Sequence, residues 1–142
     1  MLLSGTLGLV TCRHRDGAYP RAQEINMTTS TDESAALRSL VPSIVDEVVA
    51  AAHPARVILF GSVARGDAHH DSDLDLLVVL DHLDPMERAH LMGSIRFALS
   101  APAAIDVFVT DLDEYERRKD VNGSMQYWPH REGEVVYERD VA

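Results

Sequence analysis

Two aspartates stand one residue apart, Asp73 and Asp75, and a Gly61-Ser62 pair precedes them by ten residues. Asp73-Leu74-Asp75-Leu76-Leu77-Val78-Val79-Leu80 reads as a strand. Side chains alternate across a strand, so both carboxylates face the same way. Leu74, Leu76, Val78 and Leu80 take the opposite face, while Leu77 and Val79 continue the Asp face into a core. Two carboxylates this close repel each other at neutral pH. A hard divalent cation relieves that repulsion, because Mg²⁺ takes carboxylate oxygens and keeps positions open for phosphate and water. The competing reading is an Asp-x-Asp in a surface turn that is simply solvated. The Gly61-Ser62 turn favours the cation. Glycine admits backbone amides close to a ligand, Ser62 offers a hydroxyl and a cap for a short helix, and such turns cradle phosphate oxygens.

These residues need a scaffold. Val57-Ile58-Leu59-Phe60 is short, rich in β-branched residues and bounded by turn residues, which predicts a buried strand ahead of the Gly-Ser turn. Ala103 to Val109 predicts a third strand, with Ile105, Val107 and Val109 on one face and Asp106 and Phe108 on the other. Upstream, Ser30-Thr31-Asp32-Glu33 has the form of a capping box. The residues Leu37, Leu40, Val41, Ile44, Val45, Val48 and Val49 then follow one helical face that ends near His53-Pro54. Pro42 either kinks this helix or opens a second one. Asp84-Pro85 predicts another helix start, with Leu91, Ile95, Ala98 and Leu99 as its buried stripe. Asp111 to Glu114 opens a helix through Arg118, Asn122-Gly123 breaks it, and Ser124 to Arg131 adds a further helical turn. Glu134 to Glu138 reads as a terminal edge strand. The expected class is α/β (α+β): a small mixed sheet covered by helices.

The chain has 142 residues, enough for one domain with a sizeable core. Its formal net charge of −10 excludes the basic footprint of a general nucleic-acid binder. The single cysteine, Cys12, leaves no internal disulfide and suits a reducing cytoplasm. No apolar run reaches membrane-spanning length. Residues 1–26 differ in composition, with three arginines against two acids and no basic residue ahead of the apolar start, so they make a poor signal peptide. They read as an N-terminal extension, disordered or not native, and the organised domain as residues 27–142, with Met27 an alternative start.

The run Gly61-Ser62-Val63-Ala64-Arg65-Gly66-Asp67 followed by Ser72-Asp73-Leu74-Asp75-Leu76 resembles the DNA polymerase β-like nucleotidyltransferase superfamily, and within it the small stand-alone branch of minimal nucleotidyltransferases. That family carries a third acid on a neighbouring strand between apolar residues, and Ile105-Asp106-Val107 supplies one. The resemblance covers the chain from about residue 31 onward. It implies a polymerase β-like nucleotidyltransferase fold and two Mg²⁺ ions, with Mn²⁺ as a substitute. Asp73 and Asp75 bridge both ions, and Asp106 holds the one that activates the acceptor hydroxyl. Gly61 and Ser62 contact the β- and γ-phosphates of ATP. Arg65 is placed to neutralise phosphate charge or, equally, to pair with Asp67, Asp71 or another acid. Asp71, His69 and His70 read as loop residues, and one of Tyr127 and Trp128 as a core residue.

Larger members of that superfamily carry a further domain that holds the acceptor, and the residues outside the motif are too few for one, so the acceptor is expected from a partner. By the resemblance the partner is a HEPN-family toxin. The chain would then be its antitoxin in a type VII-like pair, a protein adenylyltransferase that adds AMP to a tyrosine. Two other readings stay open: a non-catalytic antitoxin that neutralises its partner by binding alone, and a small-molecule adenylyltransferase.

Overall fold

The computed structural model describes residues 32–140. Cys12, the extension over residues 1–26 and Ser30 of the expected capping box lie outside the described residues. Helix α1 covers residues 32–38, and a turn at residues 39–40 separates it from α2 (Val41–Ala52). Pro42 therefore opens a second helix rather than kinking one. It sits in the first turn of α2, where a missing N–H leaves no hydrogen bond unmade. Helix α2 buries Val41, Ile44, Val45 and Val48 and ends at His53, whose φ of 47° is left-handed.

The chain then runs β1 (Arg56–Phe60), α3 (Gly61–Arg65), β2 (Leu74–Leu80), α4 (Arg88–Ala98), β3 (Ile105–Asp111), α5 (Leu112–Arg118), α6 (Tyr127–Glu132) and β4 (Glu134–Glu138). The strands form one mixed sheet in the order β3-β2-β1-β4. Strand β1 is antiparallel to both β2 and β4, and β2 is parallel to β3. A parallel pair needs a crossover, and α4 supplies it.

Strand alternation divides the sheet into two unlike faces. Leu59, Leu74, Leu76, Val78, Ile105, Val107 and Val109 join the buried residues of α2 and Ile95 of α4 in one large apolar cluster. Ile58, Leu77, Val79 and Tyr115 form a smaller cluster on the other side, with Phe60, Phe108, Leu112 and Met125 at its margin. Burying an aliphatic side chain fully stabilises by about 1.5–3 kcal/mol, so the first face supplies most of the hydrophobic stability.

Several boundaries differ from the sequence expectation: β1 takes in Arg56, β2 begins at Leu74 just after Asp73, and α6 covers Tyr127–Glu132 where Ser124 to Arg131 was expected. Helix α4 starts at Arg88, not at Asp84-Pro85. Asp84 instead closes a turn ahead of the helix, with its Oδ1 accepting from the Met86 N–H at 2.8 Å and its carbonyl from the Glu87 N–H at 2.9 Å. Ala98 is exposed, and the inner side of α4 is Ile95 with Leu91, Met92 and Leu99 packed against the core. Strand β3 begins at Ile105 and continues to Asp111, because its ladder with β2 extends to Leu80↔Asp111. The helix after β3 starts as expected: the Asp111 side chain accepts from the Glu114 N–H at 2.8 Å and caps α5.

Candidate active site

Strand register brings the first two acids together. Asp75 of β2 pairs in parallel register with Asp106 of β3. Residues paired this way point to the same face about 4.8 Å apart. That face is the one with the smaller apolar cluster, since Leu77 and Phe108 lie two residues further along the same strands. Asp73 comes immediately before β2, one alternation ahead of Asp75, and is half-buried.

On the other side of Asp75 stands the Gly-Ser turn. Phe60, the last residue of β1, is the antiparallel partner of Asp75, and Gly61 follows it. Gly61 has φ of +78°, and a Cβ there would lie 2.2 Å from the Asp75 Oδ2. Only glycine permits both the backbone turn and the close approach of the carboxylate. Helix α3 begins at Gly61 with Phe60 as its N-cap and no side-chain cap bond, so Ser62 is not the cap that the sequence suggested. Ser62 sits in the first turn, and its carbonyl accepts the N–H groups of Gly66 and Asp67 at 2.9 and 3.0 Å, which closes the loop back on itself.

Burial raises the Asp75 carboxyl from the usual range, and the neighbouring Asp106 and Asp73 charges raise it further. Arg65 opposes the rise, and the result is a carboxyl pushed up to about 6. No hydrogen bond or ion pair from a described residue relieves Asp73 or Asp75. Asp106 has a weak cationic neighbour, the Arg96 Nη1 at 3.8 Å from its Oδ1. Among the described residues no three His, Cys, Asp or Glu side chains close on one point as a ready cage. The acids fit a cation of another kind. Mg²⁺ is bound through one or two carboxylates and completes its octahedron with water and substrate phosphate oxygens. A half-buried pair of mutually repelling aspartates beside an open glycine turn matches that demand.

Arg65, at the C-terminal end of α3, is shared between Glu132 of α6 at 2.7 Å and Asp67 at 3.4 Å. The expected pair with Asp67 is present, and the pair with Asp71 is not. His69 receives the Ser72 hydroxyl as a neighbour at 2.9 Å, and His70 lies 3.0 Å from Asp71, so these are loop contacts at the surface. Tyr127 is half-buried and Trp128 is 55% exposed, and neither joins an apolar cluster, so neither is the core residue expected of this pair. Sequence reasoning missed Glu132 and Arg96. Glu132 lies four residues after Trp128, a spacing that places both on one helical face, while nothing in the local sequence links Arg96 to Asp106.

Comparison with known proteins gives the family and the fold. A family model described as a nucleotidyltransferase domain matches residues 41–135. This chain belongs to the nucleotidyltransferase domain family. A candidate nucleotidyltransferase from Sulfolobus solfataricus shares the fold, with 22% identity over 78% of this chain and 88% of that one and a TM-score of 0.55. A chain of a toxin–antitoxin structure with AMP-PNP aligns at 22% identity over 68% of this chain and 73% of that one, with a TM-score of 0.45. No curated protein matches the sequence. Among the described residues no helix is long and apolar enough to cross a membrane.

Proposed function

We propose that this nucleotidyltransferase domain transfers AMP from ATP to a hydroxyl group of a partner protein. The observation that carries the reading is Asp75, packed against Gly61 on one side and in register with Asp106 on the other, with its carboxyl pushed up to about 6. Asp73, Asp75 and Asp106 are the catalytic acids and the residues that hold Mg²⁺. Gly61, Ser62 and Arg65 receive the triphosphate. Bound divalent cations, Mg²⁺ or Mn²⁺, supply charge neutralisation at the attacking and leaving oxygens.

The chain's own residues do the rest. Gly61 holds the backbone open beside Asp75, and Ser62 offers its hydroxyl to a phosphate oxygen. Arg65 contributes a guanidinium whose present partners, Glu132 and Asp67, keep it at the turn. Asp106 lies toward the edge of the sheet, placed to take the proton of the incoming hydroxyl. The acceptor oxygen bonds to the α-phosphorus, the α–β phosphoanhydride bond breaks, and pyrophosphate leaves. Positioning and charge are the main protein contributions to such a transfer.

The partner assignment rests on the sequence resemblance and on charge. A net charge of −10 repels a phosphate backbone outside the cation site, whereas a protein hydroxyl meets no such barrier. The proposed acceptor is a tyrosine of a HEPN-family toxin, and the chain is the antitoxin of the pair. Intact-mass analysis of the partner after incubation with this protein, ATP and Mg²⁺ tests this. The expected result is a mass increase of one AMP group that is lost in Asp73→Asn. Neutralisation without added mass, equally strong in Asp73→Asn, would instead establish an antitoxin that acts by binding alone.

A further inference from the structure

A cavity adjoins the turn on the acid-bearing face. It has a volume of about 380 Å³ and is lined by Phe60, Gly61, Arg65, Trp128 and Glu132. Two of its walls, Gly61 and Arg65, belong to the turn assigned above to the triphosphate. A third, Phe60, is the strand partner of Asp75, so that carboxylate stands one strand spacing away. The far wall is Trp128, 55% exposed. Its one described aromatic neighbour, Tyr127, meets it edge-on at 82° with ring centroids 5.2 Å apart, so no described ring of the chain lies parallel to it.

The wall is braced. Gln126, just before α6, is buried and donates from Nε2 to the Thr110 hydroxyl of β3 at 3.0 Å. Gly133, just after α6, approaches β1 so closely that a Cβ would lie 2.6 Å from the Ile58 Cγ2. Glu132 ties α6 to α3 through Arg65 at 2.7 Å. An exposed indole on a short helix pinned at both ends is a pre-organised surface, and pre-organisation lowers the entropy lost on binding.

The geometry points to this cavity as the nucleobase subsite, with the base stacked on Trp128. This rests on the nucleotide reading of the Gly-Ser turn and adds a specificity element to it. A triphosphate seated on Gly61 and Ser62 leaves its nucleoside within a few ångströms, and the adjacent cavity offers an aromatic wall of the kind a planar base stacks on. Stacking on an aromatic side chain is tolerant of base identity, so Trp128 favours a nucleotide over a bare polyphosphate more than it favours one base over another.

Trp128 is the sole tryptophan in the chain, so its emission reports on this cavity alone. In the full chain with Mg²⁺, ATP is expected to quench the emission, and tripolyphosphate, followed by calorimetry, is expected to bind and leave it unchanged. Trp128→Ala should weaken ATP about five- to 150-fold, the range expected for one lost base–aromatic stack, with tripolyphosphate affinity unaltered. Trp128→Phe should fall between the two, which separates stacking from a folding defect. ATP and tripolyphosphate both binding, with ATP affinity equal in wild type and Trp128→Ala, would overturn the subsite and leave the nucleotide reading standing. Failure of both ligands to bind the wild type would overturn the two together.

Discussion

The two faces of the sheet are built from the same strands and do different work. On one, α2 and α4 cover a continuous layer of aliphatic side chains in which Val48, Val57, Leu74, Val78 and Ile95 have essentially no exposure. On the other, a small cluster around Leu77 and Tyr115 gives way at the β2–β3 end to half-buried aspartates. Alternation along β2 switches between these environments at every residue, so Asp75 is flanked by two leucines that point into the large core. The apolar face holds the acids in place by fixing strand register, and the other face accepts the electrostatic penalty of placing them together.

Truncating neighbouring residues of β2 separates the two roles. Leu76 and Leu77 are both buried, at 1% and 0% exposure, and each change to Ala should destabilise by about 2–5 kcal/mol in chemical denaturation. Leu76→Ala leaves the acid-bearing face in place, so under conditions where it is folded its Mg·ATP affinity should match the wild type. Leu77→Ala opens the layer beneath the acids and should weaken that affinity. Equal affinities in the two variants would show that the faces are not functionally distinct.

Gly61→Ala tests the contact between the turn and the acid. The backbone conformation disfavours alanine by about 1–2 kcal/mol, and the Cβ at 2.2 Å forces the Asp75 carboxylate to move. A thermal melt should show the loss, and nucleotide affinity should fall with it, whereas a Gly66→Ala change should affect stability alone because nothing lies within 4 Å of a Cβ there.

The smallest effect concerns charge. Asp75 binds its proton more tightly in the folded protein, at about 6, than at its ordinary value of 3.8. Stability therefore falls as pH rises from about 4 to 6, and the penalty is fully present above that. Asp75→Asn should stabilise the protein by about 1 kcal/mol at pH 7.5 with chelator present, a figure reduced for solvent screening of a half-exposed group. The gain should shrink toward zero as the pH is lowered to about 4. A variant less stable than wild type at pH 7.5 would show that Asp75 is a structural partner and not a strained site acid.

Much of this was legible in the sequence because alternation is a local rule. The faces of Leu74 to Leu80 and of Ile105 to Val109, the edge strand at Glu134 and the helix opened by Asp111 to Glu114 all follow from a residue's immediate neighbours. The start of α4 did not, because Asp84 satisfies a turn and a helix with the same atoms and only tertiary packing decides between them. Glu132 reaches Arg65 across 67 residues, and such long-range pairing leaves no periodic trace, while Arg96 meets Asp106 only through the packing of α4 beside β3. Gly61 was legible as a turn, but its contact with Asp75 depends on the β1–β2 register.

The central claim is that the acids beside Gly61 form a cation-dependent nucleotide site. Isothermal titration of Mg·ATP into wild type and into Asp75→Asn, with circular dichroism to verify the fold of each, tests it most directly. Saturable Mg²⁺-dependent binding in the wild type that disappears in the folded Asp75→Asn protein is the predicted result. The same affinity in both proteins would contradict it.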